Sequence, residues 1–148
     1  MTFKKKRIIS VIGVQRSGTS AITRGLQVLG ADLGNFYGHD IVGPDNEKGY
    51  FEDIEISNLD VSMLNSIGYT WDNPVLPAFD DNTRQVLSAF YHIASNIVQR
   101  RFESTDLFGF KDPLIARLLP FWNDVFKNEG VEVSYIIACR NPLSSAKS

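Results

Sequence analysis

A short glycine-containing turn between an apolar run and an amphipathic segment constrains the fold of this chain more than any other feature. The run is Arg7–Gly13 (RIISVIG), the turn spans Gly13–Ser20 (GVQRSGTS), and Ser17–Leu29 follows with apolar residues on one side. A β-branched run closed by glycine is typical of a buried strand, and the spacing after it predicts a helix that ends at Gly30. A strand–turn–helix unit of this kind presents backbone N–H groups and the positive end of a helix dipole to an anion.

The remainder of the chain alternates predicted helices and strands. The predicted helices are Asp53–Ser66, Asp81–Arg101 and Leu114–Lys127, the predicted strands are Leu107–Phe110 and Val131–Cys139, and Gly34–Tyr50 and Gly68–Asp80 are predicted loops. Asn141-Pro142 is typical of a cap followed by proline at the start of a last helix. Alternating apolar strands and amphipathic helices predict an α/β fold, a three-layer sandwich with a central parallel sheet, formed as a single domain over residues 1–148. We expect the sequence to be truncated, because it stops about two turns into its last helix.

Composition and charge exclude several classes of protein. The net charge of −2 does not favour binding to nucleic acid, and the longest apolar runs are too short to form a membrane span. A single cysteine, Cys139, excludes an internal disulfide framework and predicts a reducing, cytoplasmic location. Cys139 closes an apolar strand, and we expect it to be a small core residue. His39 and His92 lack nearby partners in the sequence, so we expect no metal site.

The turn has the glycine spacing of a Walker A loop but lacks the lysine of that motif. Gly13 and Gly18 are correctly spaced, Thr19 occupies the lysine position, and the cation is Arg16 instead. In an NTPase the lysine reaches the β- and γ-phosphates, and the following hydroxyl holds Mg²⁺. The turn therefore suits a shorter anion, with one phosphate and one sulfate, that backbone N–H groups, hydroxyls and one basic residue hold without metal.

Gln15–Ser20 (QRSGTS) resembles the 5′-phosphosulfate loop of sulfotransferases that use PAPS (3′-phosphoadenosine 5′-phosphosulfate), usually written PKSGTT. Glutamine replaces the leading proline and arginine replaces the lysine, a form common in bacterial and carbohydrate-type members. The resemblance implies a P-loop-like nucleotide-binding fold and a set of PAPS-binding residues in this loop: Gln15, Arg16, Ser17, Gly18, Thr19 and Ser20.

The end of the third predicted strand carries a second match. Arg140 follows the strand directly, and Ser148 lies eight residues later. In sulfotransferases an arginine and a serine at this spacing bind the 3′-phosphate of PAPS, so the resemblance implies that role for Arg140 and Ser148. A guanidinium offers a planar fork of donors to a phosphate. Both implied anion sites lie at the carboxyl ends of parallel strands, where ligands bind in open α/β sheets.

Two cations are candidates for stabilising the charge of the transferred group. Arg16 is the first candidate for contact with the bridging oxygen or the sulfate. Lys111 is the second, because Phe108–Pro113 (FGFKDP) resembles the sulfotransferase strand that ends KTH in cytosolic members and KDP in many bacterial ones. Pro113 occupies the position of the histidine base of the cytosolic members, so the base must come from elsewhere.

The candidate base is an acidic residue. Glu52 lies in Asn46–Asp53 (NEKGYFED), which resembles the NxKGYFE segment of bacterial sulfotransferase-family proteins, and glutamate is the base in several carbohydrate sulfotransferases. Glu52 is therefore our first candidate. Asp112, beside Lys111, and a residue beyond the last position of the sequence remain alternatives, although Asp112 before Pro113 is also typical of a helix cap.

The sequence thus predicts a metal-independent sulfotransferase that moves a sulfuryl group from PAPS to a hydroxyl or amine of a carbohydrate or small-molecule acceptor, with PAP (adenosine 3′,5′-bisphosphate) as product. A P-loop kinase or NTPase with a degenerate Walker A loop is an alternative, but Arg140 ends a strand where handling of Mg²⁺ would favour an acidic residue. A non-catalytic nucleotide-binding module is a second alternative, favoured by the missing histidine. We expect the 148-residue chain to have weak activity or none, because the adenine-contacting residues of the family lie beyond its last residue.

Overall fold

A parallel β-sheet forms the centre of the protein, as the alternation of strands and helices predicts. The structure is a computed structural model, and it describes residues 5–35 and 49–147. The strands of the described chain are β1 Arg7–Ile12, β2 Leu107–Lys111 and β3 Glu132–Ile137, in the order β2-β1-β3 with both pairings parallel. This arrangement places the carboxyl ends of all three strands at one edge of the sheet.

Six α-helices accompany the sheet in the described residues. They are α1 Thr19–Val28, α2 Ile54–Ser66, α3 Asp81–Ser88, α4 Tyr91–Arg101, α5 Leu119–Asn128 and α6 Pro142–Ala146. Asp53, Asp80 and Asn141 cap α2, α3 and α6 by accepting hydrogen bonds from backbone N–H groups of the first turn. Within this part of the chain, no helix is long and apolar enough to cross a membrane.

Helices cover both faces of the sheet because β1 and β2 bury residues on alternating sides. Ile8, Phe108 and Phe110 belong to the larger hydrophobic cluster, which includes residues of α2, α4 and α5, with Trp122 fully buried in it. On the opposite face, Val11 packs in a smaller cluster with residues of α1 and of the segment after it: Leu26, Ala31, Leu33 and the more distant Phe51. Strands with two covered faces account for the continuous apolar runs of the sequence.

The single helix predicted over Asp81–Arg101 is wrong in one respect, because the structure contains two helices there. The chain breaks between α3 and α4 at Ala89 and Phe90. Their N–H groups bond to carbonyls three residues back, Val86 and Leu87, rather than four. A tighter turn of this kind ends α3 but leaves the spacing of the apolar residues nearly unchanged. The sequence pattern therefore predicts one continuous helix.

The helix predicted over Leu114–Lys127 is also divided. A short 3-10 helix, Ile115–Arg117, precedes α5, and the chain leaves helical geometry at Leu118. Pro120 explains the new start, because proline has no N–H to donate and fits best in the first turn of a helix.

Two further predictions concern residues near the ends of predicted elements. Cys139 is exposed, so the prediction of a core cysteine is wrong. It follows the end of β3, which is an edge strand of the described sheet and consists of exposed and half-buried residues. Residues 36–48 lie outside the described residues, and so does Ser148. The first range contains most of the predicted loop Gly34–Tyr50, together with His39 and Asn46–Lys48.

Candidate functional site

The turn after β1 is closed by its own side chains and requires glycine at two positions. The N–H and the hydroxyl of Ser17 both donate to the carbonyl oxygen of Val14, at 3.2 and 2.6 Å. A Cβ at Gly13 would lie 2.9 Å from the carbonyl oxygen of Ala138 and 2.8 Å from the Ser17 hydroxyl, closer than side chains pack. Gly18 adopts φ 95°, which side chains disfavour, and leads the chain into α1. The turn is therefore fixed against the chain that follows β3.

The N-terminus of α1 is suited to an anion. In the described chain no side chain caps α1, and its first turn holds no acidic residue. The first N–H groups of a helix have no partner within the helix, and the helix dipole adds positive potential there. Thr19 is buried in this turn, and the Ser20 hydroxyl donates to the carbonyl oxygen of Tyr50 at 3.2 Å. Arg16, with φ 67°, precedes this helix end by three residues.

Lys111 reaches this helix end from β2. Its ammonium group lies 3.3 Å from the Ser20 hydroxyl, donates to the Tyr50 carbonyl at 2.9 Å and pairs with Oε1 of Glu52 at 2.6 Å. Lys111 is 4% exposed. An ammonium group buried to this degree is tolerated only when it is paired and hydrogen-bonded, so the three contacts account for its position. The structure thus brings together two residues predicted to be catalytic, Lys111 and Glu52, with one predicted to bind the donor, Ser20.

Arg140 reaches the same turn from the other side of β1. Its guanidinium group donates to the backbone carbonyl of Arg16 at 2.9 Å. The pairing of β1 with β3 continues past the strand end, where the N–H of Ala138 donates to the carbonyl of Ile12. Lys111 and Arg140, which are 29 positions apart in the sequence, therefore approach one turn from its two neighbouring strands. The predicted phosphosulfate turn and Arg140 therefore lie at one edge of the sheet.

Known proteins add nothing to this geometry. Comparison with family models, with curated proteins and with solved structures found no match. What the site can do chemically must be argued from its own residues.

Asp112 does not face the solvent side of the site. It is 1% exposed, and its Oδ1 accepts the N–H of Leu114 at 2.6 Å within the turn that precedes the 3-10 helix, for which no side chain of the described residues supplies a cap. Burial and the nearby Glu52 charge raise the pKa of Asp112 to about 6, while the Leu114 N–H, the Ser57 hydroxyl and Lys111 act in the opposite direction. A side chain buried this deeply does not reach a ligand without rearrangement, so Glu52, whose side chain is 16% exposed, is the more accessible of the two acids.

Asp60 is a buried acid that the sequence did not single out. It is 0% exposed on α2, and Oδ1 accepts the indole N–H of Trp122 at 2.7 Å, whereas Oδ2 has no hydrogen-bond partner among the described residues. Burial raises its pKa well above the usual value, the Asp112 charge raises it further, and the Trp122 hydrogen bond lowers it less. A signal was available, because Asp60 lies four residues after Ile56 on the apolar face of α2.

The two raised pKa values make the folded state less stable as pH rises. In the folded protein the Asp60 and Asp112 carboxyls favour their neutral forms. The stability of the folded state that they contribute is therefore complete below about pH 4, the pKa of an aspartate in the unfolded chain, and is lost as pH rises through their pKa values in the folded state. Asp60→Asn retains the oxygen facing Trp122 but cannot ionise. We therefore expect the free energy of unfolding of this variant, relative to that of the unsubstituted protein, to increase by at least about 1 kcal/mol as the pH is raised from 4 to 8.

Urea unfolding at a series of pH values measures this difference. Asp124→Asn is the matched control, because Asp124 is exposed and 3.8 Å from Arg84. A stability difference for Asp60→Asn that is as flat with pH as that of the control would contradict the raised pKa.

A separate groove lies on the helical side of the protein. Its volume is about 250 Å³, and it is lined by residues of α3, α4 and α5 and their flanks: Phe79, Arg84, Leu87, Ser88, Tyr91, Phe121, Asp124 and Asn128. Neither Lys111 nor Arg140 lines it. The groove is therefore separate from the candidate site formed by Lys111, Arg140 and the turn after β1.

Proposed function

We propose that this protein is a sulfotransferase that uses PAPS and needs no metal ion to bind it. The observation that carries the proposal is the approach of Lys111 and Arg140 to one turn from the two strands that flank β1. A site with three basic residues beside the start of a helix suits a ligand with several negative groups. The resemblance of Gln15–Ser20 to the phosphosulfate loop identifies which ligand of this charge is favoured.

Each end of the donor has residues suited to hold it. The backbone of Gly13–Ser20 and the hydroxyls of Ser17, Thr19 and Ser20 suit the 5′-phosphosulfate, and Arg16 supplies a guanidinium from within the turn. Arg140 suits the 3′-phosphate, and Ser148, which lies outside the described residues, is proposed to join it. Arg140 now donates to a carbonyl of the turn, so binding of the 3′-phosphate requires it to exchange that neutral acceptor for a charged one, a stronger hydrogen bond.

Glu52 and Lys111 are placed to act on the reacting groups. PAPS supplies an activated sulfuryl group whose bond to the 5′-phosphate oxygen breaks during transfer. The Glu52 carboxylate accepts the proton of the acceptor hydroxyl or amine as the new bond to sulfur forms. Lys111, with Arg16, stabilises the negative charge that develops on the bridging oxygen of the departing PAP. The Glu52 side chain is 16% exposed, so an acceptor can approach it from solvent.

The kinase alternative is less well supported by the same residues. Phosphoryl transfer from ATP depends on Mg²⁺ and on a loop lysine at the position of Thr19. Thr19 occupies that position in this chain, and the Glu52 carboxylate is already paired with Lys111. The acceptor, a carbohydrate or other small molecule, is proposed from the sequence resemblance, and a cytoplasmic location is proposed from the single cysteine.

Ligand-induced thermal shift tests the proposal. We expect PAP to raise the unfolding temperature equally with Mg²⁺ and with EDTA, because the proposed site uses side chains and backbone donors in place of a metal. At a PAP concentration 100-fold above its dissociation constant, the stabilisation should be about 2.7 kcal/mol. ADP, which lacks the 3′-phosphate, should give a smaller shift. A shift seen with ATP and Mg²⁺ but not with PAP would favour the kinase, and a shift with none of the three would contradict nucleotide binding by this chain.

A further inference from the structure

The short segment that carries Glu52 makes a different contact at each of its residues. The Tyr50 carbonyl accepts from the Lys111 ammonium and from the Ser20 hydroxyl. The Phe51 side chain is 7% exposed and packs in the smaller hydrophobic cluster with Val11. Glu52 turns back to Lys111. Two groups that flank Phe51 therefore reach one ammonium group, while Phe51 itself packs in the core.

The backbone of Phe51 explains how this is possible. Its φ is 54°, in the left-handed region, where a bulky residue other than glycine is rarely found. The chain turns at this residue, and the Tyr50 carbonyl before it and the Glu52 carboxylate after it both reach the ammonium group of Lys111, at 2.9 and 2.6 Å. Uncommon backbone conformations of this kind persist only where surrounding structure imposes them.

Structure on both sides holds the segment in place. Asp53 begins α2 by accepting the N–H groups of Glu55 and Ile56 at 3.1 and 3.2 Å. Both of its oxygens also accept from Arg101 of α4, at 2.8 and 2.9 Å, in a pair whose side chains are 0% and 11% exposed. Asp53, directly after Glu52, is thus fixed to two helices, and Tyr50, directly before Phe51, is fixed to Lys111.

We propose that Phe51 is a positioning residue, whose buried ring and left-handed backbone direct the Glu52 carboxylate and the Tyr50 carbonyl to the ammonium group of Lys111. Its consequence for catalysis rests on the proposed function, because Glu52 is the base and Lys111 the charge-stabilising group of that reaction. The geometric part concerns the contacts of Lys111 and is independent of any donor or acceptor. Phe51 acts through Glu52 and Lys111 and does not itself contact the reacting atoms.

The rate at which Lys111 is acetylated measures these contacts. Phe51→Ile and Phe51→Leu have the same atoms, but isoleucine is β-branched and disfavours the left-handed region far more strongly. With N-hydroxysuccinimidyl acetate and peptide mass spectrometry, and exposed Lys127 as internal standard, we expect Phe51→Ile to raise the relative rate at Lys111 about tenfold, as for the loss of a charge-assisted hydrogen bond. Phe51→Leu should stay within about twofold of the unsubstituted protein, since it can retain the conformation.

Two controls separate positioning from a general loss of packing. Leu33→Ile places the same β-branched residue in the same hydrophobic cluster, at a position without positive φ, and it should leave the rate at Lys111 unchanged. Glu52→Gln should raise that rate strongly in the unsubstituted protein and little in Phe51→Ile, because the contact is already lost there. Near-ultraviolet circular dichroism of the buried Trp122 checks that each variant is folded. Where Phe51→Ile does not fold, the smaller Phe51→Val makes the same comparison.

Equal rates at Lys111 in Phe51→Ile and Phe51→Leu would overturn the proposal, and so would an equal rise in Leu33→Ile. These rates are measured without PAPS. Failure of the proposed function therefore has a different signature, namely the absence of PAP binding by a protein whose acetylation pattern is as expected. If PAPS is converted to PAP, Phe51→Ile should also lower kcat for this conversion, whereas Phe51→Leu should keep kcat close to that of the unsubstituted protein.

Discussion

Replacement of Lys111 by methionine is expected to lower the weak conversion of PAPS to PAP expected of this chain by at least about 100-fold, the usual effect of removing one donor that stabilises developing charge. Methionine retains the apolar stem of the lysine and removes the ammonium group that contacts Ser20, Tyr50 and Glu52. The reaction then loses a cation near the bridging oxygen, and Glu52 loses the group that holds it in place. Chromatographic separation of PAPS and PAP measures the rate, with water or an added alcohol as acceptor.

The same substitution should also reduce stability, because Glu52 is left as a largely buried carboxylate without its partner. Lys111→Met combined with Glu52→Gln is expected to recover part of that stability but none of the activity. Lys127→Met, at an exposed lysine in the last turn of α5, is the control for loss of positive charge and should leave the rate within about twofold. A Lys111→Met protein that is folded and converts PAPS at the unsubstituted rate would show that Lys111 has a structural role.

Replacement of Gly13 by alanine should reduce PAP affinity by at least about tenfold, a change of 1.4 kcal/mol. The new methyl group would overlap the Ala138 carbonyl, which belongs to the backbone and cannot move without shifting the chain that leads to Arg140. One substitution therefore displaces both the turn and the guanidinium that approaches it. Calorimetric titration with PAP in EDTA measures the affinity.

Gly25→Ala is the matched control for this experiment. Gly25 lies in α1 with open space around its Cβ position. Alanine there should leave PAP affinity unchanged and stabilise the protein by about 0.5–1 kcal/mol, since alanine is the better helix former. Equal affinity in Gly13→Ala and Gly25→Ala would mean that the turn after β1 does not bind the nucleotide.

Local sequence patterns were sufficient for much of the fold. The β-branched run of β1, the glycines of the turn and the cap at Asn141 act over a few residues, and the structure places them as predicted. The patterns were insufficient where periodicity continues through a break. The division between α3 and α4 leaves the apolar spacing nearly intact, so the hydrogen bonds that end α3 have no counterpart in the pattern.

The candidate site was predictable in its cations and less so in its supporting residues. Lys111 and Glu52 were selected from separate segments 59 positions apart, and their ion pair depends on the packing of α2 against the sheet, which no local pattern encodes. The left-handed backbone of Phe51 was not predicted, because that conformation is unusual for phenylalanine and results from tertiary contacts on both sides. Asp60 was missed because an acid within an apolar helical face resembles an exposed one until its neighbours are known.

The central claim is that the turn after β1 and Arg140 together bind a 3′,5′-bisphosphate without metal. It is tested most directly by following the backbone amide and arginine side-chain NMR signals of the ¹⁵N-labelled protein during titration with PAP in EDTA. We expect the largest shifts at Gly13–Ser20 and at the Arg140 guanidinium, with smaller ones at the same positions for ADP. Shifts centred on the groove between α3 and α5, or shifts at the turn that appear only when ATP and Mg²⁺ are added, would contradict the claim.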